Sequence, residues 1–172
     1  MTLSRAWAMP NSNTFTIKPI NELIKRYIES FDGIALDPFC RNSPFNYRCI
    51  TNDLDITINA DSHMDALEFL KERSPNEAEI ILFDPPYSPR QVSECYKQAG
   101  KPVNMQTTQA SFWSNIKKEI ERITKKNGIV ITCGWNSGGI GQKYGFDIVE
   151  ILLVAHGGWH NDTIVTVERK IK

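Results

Sequence analysis

The sequence has little cysteine and no arrangement of it that would build a framework. Its four cysteines are scattered along the chain, without a Cys-x-x-Cys pair or an adjacent histidine: Cys40, Cys49, Cys95 and Cys133. Zinc sites need such spacing, so no metal site is expected. Because the chain has enough apolar residues for an ordinary core, a disulfide framework is not needed either. Reduced thiols in a cytoplasmic setting are the better interpretation.

An excess of charge of one sign and long apolar runs are also missing. Lys and Arg number 20, as do Asp and Glu, which argues against a histone-like binder held by many phosphate contacts but leaves room for a locally basic groove. No apolar run is long enough to cross a bilayer, and the N-terminus lacks the unbroken apolar stretch of a signal peptide. We therefore expect a soluble cytoplasmic protein with no membrane partner.

The composition that remains is that of an ordinary globular domain. Hydrophobic residues make up 41% and charged residues 23% of the 172 residues, a length that suits one domain and is too short for two of ordinary size. We expect residues 1–172 to form a single domain, with no room for a separate target-recognition domain.

Short apolar runs alternate with segments of helical periodicity. Strands are predicted at 34–36, 47–51, 80–83, 129–133, 148–155 and 163–168, the last two forming an antiparallel hairpin. Helices are predicted at 20–28 after Pro19, at 62–73 with Asp61 or Ser62 as the cap, and at 112–123 with Asn127-Gly128 closing the helix. We expect residues 1–18 to be loop or extended chain, and residues 88–109 to be a long loop.

This alternation predicts an α/β fold with a mostly parallel sheet that helices cover on both faces. Ligands of such sheets bind at the carboxyl ends of the strands, near the point where the strand order reverses. Asp37, Asp53 and Asp84 all lie at predicted carboxyl ends. Their placement is the first indication of a binding site.

The turn Asp84-Pro85-Pro86-Tyr87 directly follows an aliphatic strand. The amino nitrogen of adenine or cytosine is a poor nucleophile, because its lone pair is delocalised into the ring. A carboxylate and a backbone carbonyl held rigid by prolines can accept hydrogen bonds from its two N–H groups, which frees that lone pair. The aromatic ring can stack on a base swung out of a duplex. The alternative is that two prolines simply end a strand and that Tyr87 packs against the fold.

The motif Phe83-Asp84-Pro85-Pro86-Tyr87 resembles the catalytic motif of the amino-methyltransferases, a family that includes DNA adenine-N6 and cytosine-N4 methylases. Aspartate at the first position is closer to the adenine enzymes. The resemblance implies a Rossmann-like class I methyltransferase fold with a seven-stranded sheet, S-adenosylmethionine as cofactor and DNA as substrate. It also implies that residues 84–87 are catalytic.

The N-terminal half resembles the same family in the blocks that hold the cofactor. These are Thr16-Ile17-Lys18-Pro19, a helix, and then Ala35-Leu36-Asp37-Pro38-Phe39. The resemblance implies that Thr16 and Lys18 meet the methionyl carboxylate, that Asp53 takes the ribose hydroxyls, and that Asp61 contacts the adenine amino group. The implied cofactor-binding residues are Phe15, Thr16, Lys18, Asp37, Pro38, Phe39, Asp53, Leu54, Asp61 and Ser62. Taken singly, Lys18 is better interpreted as a solvated lysine at the start of a helix, and each acid as a cap or turn former.

The sequence departs from the family's pattern after Phe39. The family's Gly-x-Gly loop is replaced by Cys40-Arg41-Asn42-Ser43-Pro44, and only residues 40–48 separate the first two predicted strands. These are too few for the usual crossover helix. Arg41 is either a partner for an acidic ligand group or an ordinary surface arginine.

Substrate contacts are expected from the segments beside the motif. Candidates are Arg90, Lys97 and Lys101 in the predicted loop, which is either a clamp on the substrate or a mobile surface loop, and Trp135 and Asn136 after the next strand. We expect a homodimer or a partner subunit to supply recognition surface that the chain lacks. Two alternatives stay open: the same chemistry on RNA, protein or a small molecule, and a methyltransferase-like binding or regulatory module without turnover.

Overall fold

The computed structural model describes residues 1–86, 88–100 and 110–172, and these form an α/β fold around one sheet. Its strands are β1 (Thr2–Trp7), β2 (Ile34–Asp37), β3 (Cys49–Thr51), β4 (Ala78–Phe83), β5 (Thr124–Gly134), β6 (Phe146–Ala155) and β7 (Thr163–Lys170). Its α-helices are α1 (Lys18–Ile28), α2 (Ala66–Lys71), α3 (Pro89–Gln98) and α4 (Ala110–Ile123). Short 3-10 turns occupy Thr14–Thr16 and Gln142–Tyr144.

The sheet has the strand order β1-β6-β7-β5-β4-β2-β3. Every pairing is parallel except those of β7, which runs antiparallel to both β5 and β6. The predicted mostly parallel sheet and C-terminal hairpin are therefore confirmed. The chain moves outward from β2 to β3 and then returns to place β4 on the other side of β2, so the strand order reverses between β2 and β4. Ligands bind at such a point in open α/β sheets.

One face of the sheet is covered by α1, which begins where expected. Pro19 lies in its first turn, where its missing N–H costs nothing, and buried side chains recur at helical spacing: Ile20, Leu23, Ile24 and Ile28. They pack against Ala35, Ile80, Leu82 and their neighbours in the sheet. Burying each such side chain contributes roughly 1.5–3 kcal/mol, so this packing fixes the strands that carry the site.

The opposite face is covered by α2 and α4. Phe69 and Leu70 from α2 and Ile116, Ile120 and Ile123 from α4 meet the alternate residues of the strands, Leu36, Ile81, Phe83 and Val130. Because β2 and β4 are buried on both faces, their sequences are continuous apolar runs that end abruptly in Asp37 and Asp84. The packing thus aims both acids at the same edge of the sheet.

The second helix was predicted to begin too early. It starts at Ala66 rather than Ser62, and Asp65 caps it by accepting a hydrogen bond from the Leu67 N–H at 2.9 Å. The predicted caps Asp61 and Ser62 bond instead to the end of β3. Cap preference alone could not select among three neighbouring cap formers, because the choice depends on which of them β3 recruits.

The predicted long loop at 88–109 is wrong for its first part. Residues Pro89–Gln98 form α3, with the Ser88 side chain accepting a hydrogen bond from the Gln91 N–H at 3.2 Å. Ser88 and Pro89 together are a helix-start signal that the surrounding polar residues obscured. Residues 101–109 lie outside the part of the chain that the structure describes.

The junction between α4 and β5 also differs from expectation. Helix α4 ends at Ile123 and β5 begins at Thr124, so Asn127-Gly128 does not close the helix. These residues form an irregularity within β5, where Asn127 has φ 66° and the register with β4 shifts. The last carbonyls of α4 have several partners: Ile120 O accepts from the Thr124 hydroxyl, Arg122 O from the Asn76 N–H, and Glu121 O from Lys170 Nζ at 2.6 Å. Lys170 Nζ also donates to Thr124 O at 2.8 Å, so a lysine of β7 takes part in ending the helix where a glycine cap was expected.

Two edges of the sheet complete the picture. The first residues, expected as loop or extended chain, form the edge strand β1, which pairs with β6 in parallel from Thr2↔Glu150 to Trp7↔Ala155. At the other edge β3 is shorter than predicted and begins at Cys49. Residues 38–48 join β2 to β3 without a helix, as expected. Phe45 fills the gap, because its buried ring packs edge-on against Phe15 with the centroids 6.4 Å apart.

In the described residues, no helix is both long and apolar enough to span a bilayer.

Candidate functional site

A cleft of about 410 Å³ opens at the carboxyl edge of the sheet, at the reversal between β2 and β4. Its walls come from seven parts of the chain, the last of which is Trp113 alone. They are Asn11, Ser12 and Thr14; Pro38, Phe39 and Arg41; Asn52, Asp53 and Leu54; Met64, Asp65 and Ala66; Asp84, Pro85 and Pro86; Gln91, Val92, Glu94, Cys95, Tyr96 and Gln98; and Trp113. We call residues 37–39 and 84–86 the cleft floor and α3 the cleft roof.

The floor presents the Asp84-Pro85-Pro86 turn to the cleft. Asp84 follows the fully buried end of β4 and borders both the main cleft and a small adjoining cavity. Two successive prolines fix two φ angles, so the backbone beyond Asp84 is held rigidly. The Phe39 ring lies beside Phe83 with the centroids 5.8 Å apart, which packs the two halves of the floor together. Tyr87 lies outside the described residues.

Asp37 is the fully buried acid of the floor and, unlike Pro38 and Phe39, does not itself line the cleft. Its Oδ1 accepts a hydrogen bond from the Phe39 N–H at 3.3 Å, whereas Oδ2 is buried without a hydrogen-bond partner among the described residues. Burial raises the pKa of Asp37 to about 8, and the nearby charge of Asp84 adds to the increase. At neutral pH Asp37 is therefore mainly protonated and places little negative charge beside Asp84.

Asp53 lines the cleft at the end of β3, next to Leu54. Its Oδ2 accepts a hydrogen bond from the Arg41 N–H at 2.9 Å, and its Oδ1 accepts one from the Asp55 N–H at 2.9 Å. Each carboxylate oxygen has two lone pairs, so both can still accept a hydrogen bond from a ligand hydroxyl. The first of these bonds anchors the loop that replaces Gly-x-Gly, in which Arg41 adopts φ 43°.

Asn52 is a buried residue of the cleft wall that the sequence did not single out. Its Nδ2 donates to Pro38 O at 3.2 Å and to Met64 O at 3.0 Å, while its Oδ1 accepts from the Ser62 hydroxyl at 2.9 Å and from the Met64 N–H at 3.1 Å. One side chain thus joins the floor, β3 and the wall before α2. An asparagine after a strand is common in turns, and nothing in the sequence distinguished this one.

Asp61 and Ser62 support the cleft from behind and do not line it. Asp61 Oδ2 accepts hydrogen bonds from the Thr51 N–H and hydroxyl, both at 2.8 Å, and Ser62 pairs with Asn52 as an isolated bridge. The structure therefore places these two predicted cofactor residues on the return from β3 to α2.

The N-terminal block reaches the cleft through different residues than predicted. Phe15 is buried in the core, Thr16 donates its hydroxyl to Asn13 O at 2.7 Å, and the exposed Lys18 lies 4.0 Å from Glu22 on the outer side of α1. Asn11, Ser12 and Thr14 line the cleft instead. The Arg41 guanidinium donates to Ser12 O at 3.1 Å, which fixes this segment against the loop after β2.

The roof closes the cleft with the inner side of α3. Val92, Cys95 and Tyr96 face inward, and the Tyr96 hydroxyl donates to the Asp65 carboxylate. Burial and this carboxylate both raise the pKa of Tyr96, so the phenol stays protonated and can act as the donor. The predicted substrate residues face solvent: Arg90 pairs with Glu94 at 2.8 Å, Lys97 is exposed, and Lys101 lies outside the described residues.

Trp135 and Asn136 follow β5 at the same edge of the sheet but do not line the cleft. Asn136 accepts a hydrogen bond from the Gly138 N–H at 2.9 Å, which shapes the loop. That loop is held by Glu168, a buried residue of β7 that accepts from the Ile140 N–H at 2.6 Å and the Gly141 N–H at 2.8 Å. Trp113 of α4 supplies the indole that does border the cleft.

The chemistry of the walls favours a ligand that carries positive charge and hydroxyl groups. Among the lining residues are four acids, Asp53, Asp65, Asp84 and Glu94, against the single guanidinium of Arg41. Apolar surface comes from Phe39, Leu54, Met64 and Trp113. No group of three His, Cys, Asp or Glu side chains in the described ranges is arranged to hold a metal ion.

Comparison with known proteins places the fold but not the family. No protein-family profile matches the sequence, and no curated protein is significantly similar to it. Solved structures do match. The Escherichia coli protein yhhF, assigned as a methyltransferase, superposes with a TM-score of 0.61 at 9% identity, covering 95% of this chain and 90% of its own.

Two further structural neighbours agree. The 1,6-didemethyltoxoflavin-N1-methyltransferase of Burkholderia thailandensis has a TM-score of 0.60 at 10% identity, covering 90% of this chain and 78% of its own. TrmN of Thermus thermophilus has a TM-score of 0.56 at 14% identity, covering 90% and 49%. The expected Rossmann-like methyltransferase fold, with a seven-stranded sheet and an antiparallel hairpin, is thereby confirmed.

Proposed function

We propose that this chain is an S-adenosylmethionine-dependent methyltransferase that methylates the N6 amino group of adenine in DNA. The observation that carries the proposal is the position of the Asp84-Pro85-Pro86 turn. It ends a buried central strand and lies in the wall of a cleft at the reversal of strand order, within a fold that methyltransferases use. A strand that merely needed to stop would not require an acid at this point.

The residues of the cleft fit S-adenosylmethionine. A volume of about 410 Å³ lies within the ordinary range for sites of nucleoside-sized ligands. Asp53 can accept ribose hydroxyls, the excess of acids suits a sulfonium and an ammonium, and Phe39 and Leu54 offer apolar surface to a base. Two structural neighbours support this assignment, since the Burkholderia enzyme and SMU.1697c of Streptococcus mutans were crystallised with S-adenosylhomocysteine.

In the proposed mechanism the chain prepares the acceptor nitrogen. When bound, S-adenosylmethionine supplies an electrophilic methyl group. The Asp84 carboxylate accepts a hydrogen bond from one N–H group of the acceptor amine, and the Pro85 carbonyl accepts one from the other N–H group. These two bonds draw the nitrogen toward tetrahedral geometry and expose its lone pair. Pro86 keeps the Pro85 carbonyl in place, and Tyr87 stacks on the base. Asp84 also lies where the proton lost from the methylated nitrogen can be taken up.

The charges of the cleft limit which part of a DNA acceptor can enter it. Four acids against one arginine would repel a phosphate, whereas a neutral base extruded from its strand can enter. DNA would therefore present a single base to the cleft and keep its backbone outside. We further propose that the chain acts as one domain in the cytoplasm and that a second copy or a partner subunit adds recognition surface.

A labelled-methyl transfer assay tests the proposal. Purified protein and radiolabelled S-adenosylmethionine are incubated in four separate reactions, each with one acceptor. The acceptors are adenine-containing DNA, the same sequence as RNA, a mixed protein extract and free nucleosides. We expect label on the DNA, recovered after digestion as N6-methyladenine, and none with Asp84→Ala. Label confined to another acceptor class would reassign the substrate, and equal label with Asp84→Ala would refute the mechanism. Calorimetry with S-adenosylhomocysteine tests the cofactor site separately, because a chain without turnover could still bind it.

A further inference from the structure

Three of the four tryptophans of the chain lie along the edge of the sheet where the cleft opens. Trp7 is the last residue of β1, Trp135 directly follows β5, and Trp159 lies in the turn between β6 and β7. Because β1, β5 and β6 all run parallel to β4, these positions share the carboxyl edge with Asp84. We call these three residues the tryptophan rim.

The rim tryptophans are exposed to an extent that is unusual for the largest apolar side chain. Trp7 is 65% exposed, Trp135 46% and Trp159 completely. Indoles normally bury most of their surface, and exposed aromatic surface marks interaction sites. The edge therefore offers three large, flat, apolar faces to something outside the chain.

The backbone around the rim is firmly held. Gly157 and Gly158 have φ angles of 70° and 58°, a backbone conformation that residues other than glycine rarely adopt. A Cβ atom on Gly157 would lie 3.4 Å from the Trp7 indole nitrogen, so the turn and the Trp7 ring are close neighbours. The buried His156 ring bridges Ala8 O at 2.9 Å and the Thr163 hydroxyl at 2.8 Å. Trp7 and the hairpin turn are thus fixed against each other, which lowers the entropy lost when a ligand binds there.

The dimensions of the edge suit a short stretch of polynucleotide. Four strand spacings separate β1 from β4 along the sheet order, and at about 4.8 Å each the edge from Trp7 to Asp84 spans roughly 19 Å. A nucleic-acid strand rises about 3.4 Å per nucleotide when stacked, so several nucleotides can lie along the edge. A strand lying there would lead directly to the cleft floor.

Chemistry favours bases over phosphates as the contacting groups. Every base has a π-face that stacks on an aromatic ring, so indoles bind unpaired strands with little regard to sequence. Among the described residues, the cations that could meet phosphates at this edge are few: Lys97 and Arg90 are exposed and do not line the cleft, and Arg41 donates a hydrogen bond to Ser12 O. A duplex, whose bases are hidden and whose phosphates need neutralising, has little to bind here.

We propose that the tryptophan rim is a stacking platform for an unpaired DNA strand, which it guides to the cleft. The proposal rests on the proposed function, since it names the form in which the acceptor arrives: single-stranded, or opened for several nucleotides beside the target base. It also accounts for a chain of zero net charge acting on DNA, because stacking replaces most of the phosphate contacts.

The test uses oligo-thymidine, which has no exocyclic amine and so reports on the rim without engaging the catalytic turn. Dye-labelled oligo-thymidine, oligo-uridine and a duplex are titrated with the full chain, and binding is followed by anisotropy. We expect oligo-thymidine to bind at least tenfold more tightly than the duplex, with a weak dependence on salt. Trp7→Ala and Trp159→Ala should each weaken binding at least fivefold, since stacking on one aromatic ring contributes about 1–3 kcal/mol.

Tyr47→Ala is the matched control. Tyr47 is 72% exposed and precedes β3, so it lies at the amino end of that strand, away from the carboxyl edge that carries the rim. This variant should bind oligo-thymidine within twofold of the unmodified chain. Oligo-uridine of similar affinity supports stacking, whereas binding of oligo-uridine alone would overturn the assignment to DNA. Equal binding by both tryptophan variants would overturn the platform. So would self-association, measured by light scattering, that the variants abolish, because the rim would then be a protein interface.

The outcomes separate the two proposals. Indole-dependent binding of oligo-thymidine without any methyl transfer to adenine would leave the platform standing and refute the proposed function. Methyl transfer to adenine that persists in Trp7→Ala and Trp159→Ala at unchanged KM would refute only the platform.

Discussion

The cleft floor and the cleft roof enclose the same cavity, but they are held in place by different means. The floor ends two central strands, with Asp37 and Pro38 buried and the apolar residues before Asp84 packed on both faces of the sheet. The roof is a single helix in which Val92 is the one buried side chain among those described. The hydrogen bond from Tyr96 to Asp65 links the roof to the beginning of α2. A preorganised floor suits chemistry, and a weakly held roof suits the entry and exit of ligands.

The largest difference in kcat is expected when one carboxylate is removed from the floor and, separately, one from the roof. Asp84→Asn should lower kcat by roughly 10²–10³-fold, the loss typical for one preorganised electrostatic group, and leave cofactor affinity within about threefold. Glu94→Gln in the roof is the matched control: Glu94 also lines the cleft, but its carboxylate pairs with Arg90 and is carried by α3 rather than by the catalytic turn, so kcat should change less than threefold. Steady-state methyl transfer measures both. Similar losses for the two variants would contradict the distinction between floor and roof.

The floor should also show a pH dependence of stability between about pH 4 and 8, which is below the range in which the Tyr96 phenol of the roof ionises. An aspartate titrates near pH 3.9 when unfolded, whereas burial raises the pKa of Asp37 to about 8 in the folded chain. The folded state then holds a proton that the unfolded state has released, so the free energy of unfolding falls as the pH rises from about 4 to 8. We expect a decrease of roughly 2–3 kcal/mol, since relaxation around the charge reduces the full cost.

Asp37→Asn tests this origin, because an amide does not titrate. Urea unfolding at pH 5, 7 and 9 should show a flatter profile for this variant and higher stability than the unmodified chain at pH 9. A profile that keeps its slope in Asp37→Asn would assign the effect to another group.

A smaller effect is expected from releasing the roof. Tyr96→Phe removes the hydroxyl that binds Asp65, and Asp65 Oδ1 continues to cap α2. We expect a loss of about 1 kcal/mol in local stability and a three- to tenfold weaker affinity for S-adenosylhomocysteine. Native-state hydrogen exchange should show faster exchange in α3 and unchanged exchange in α2. Faster exchange in both helices would mean that the bond stabilises more than the roof.

The smallest effect is expected from the cations that the sequence offered as substrate contacts. Arg90→Ala and Lys97→Ala remove exposed side chains on the outer side of α3, and an exposed helical ion pair contributes about 0.3–0.5 kcal/mol. KM for the DNA acceptor should change less than twofold in either variant. A tenfold increase would show that the acceptor crosses the outside of the roof.

The same contrast explains what the sequence could predict. Floor residues follow strands whose burial on both faces leaves continuous apolar runs, so Asp37 and Asp84 could be placed at one edge from sequence alone. The roof was missed because α3 is mostly polar: Val92, Cys95 and Tyr96 stand at helical spacing, but they cover little more than one turn, which is too short to establish a period. Asn52 joins the end of β3 to the floor and to the wall before α2. Its role could not be predicted from the sequence, because it depends on partners that only the fold brings together.

The N-terminal block shows the limit of arguing from a resemblance. The segment that contains Phe15, Thr16 and Lys18 does border the cleft, but it presents Asn11, Ser12 and Thr14. A motif fixes where the backbone runs more firmly than which side chains face inward. Here the short connection between β2 and β3 and the Arg41 bond to Ser12 decide the orientation.

The pairing of β1 with β6 has a consequence for how the chain is made. Thr2 lies opposite Glu150, so β1 is synthesised long before the strand with which it pairs. At about 5–20 residues per second this wait lasts several seconds at least, during which the backbone N–H and C=O groups of β1 have no partner strand. Docking of β1 is therefore a long-range step that follows the synthesis of β6 and completes this side of the sheet.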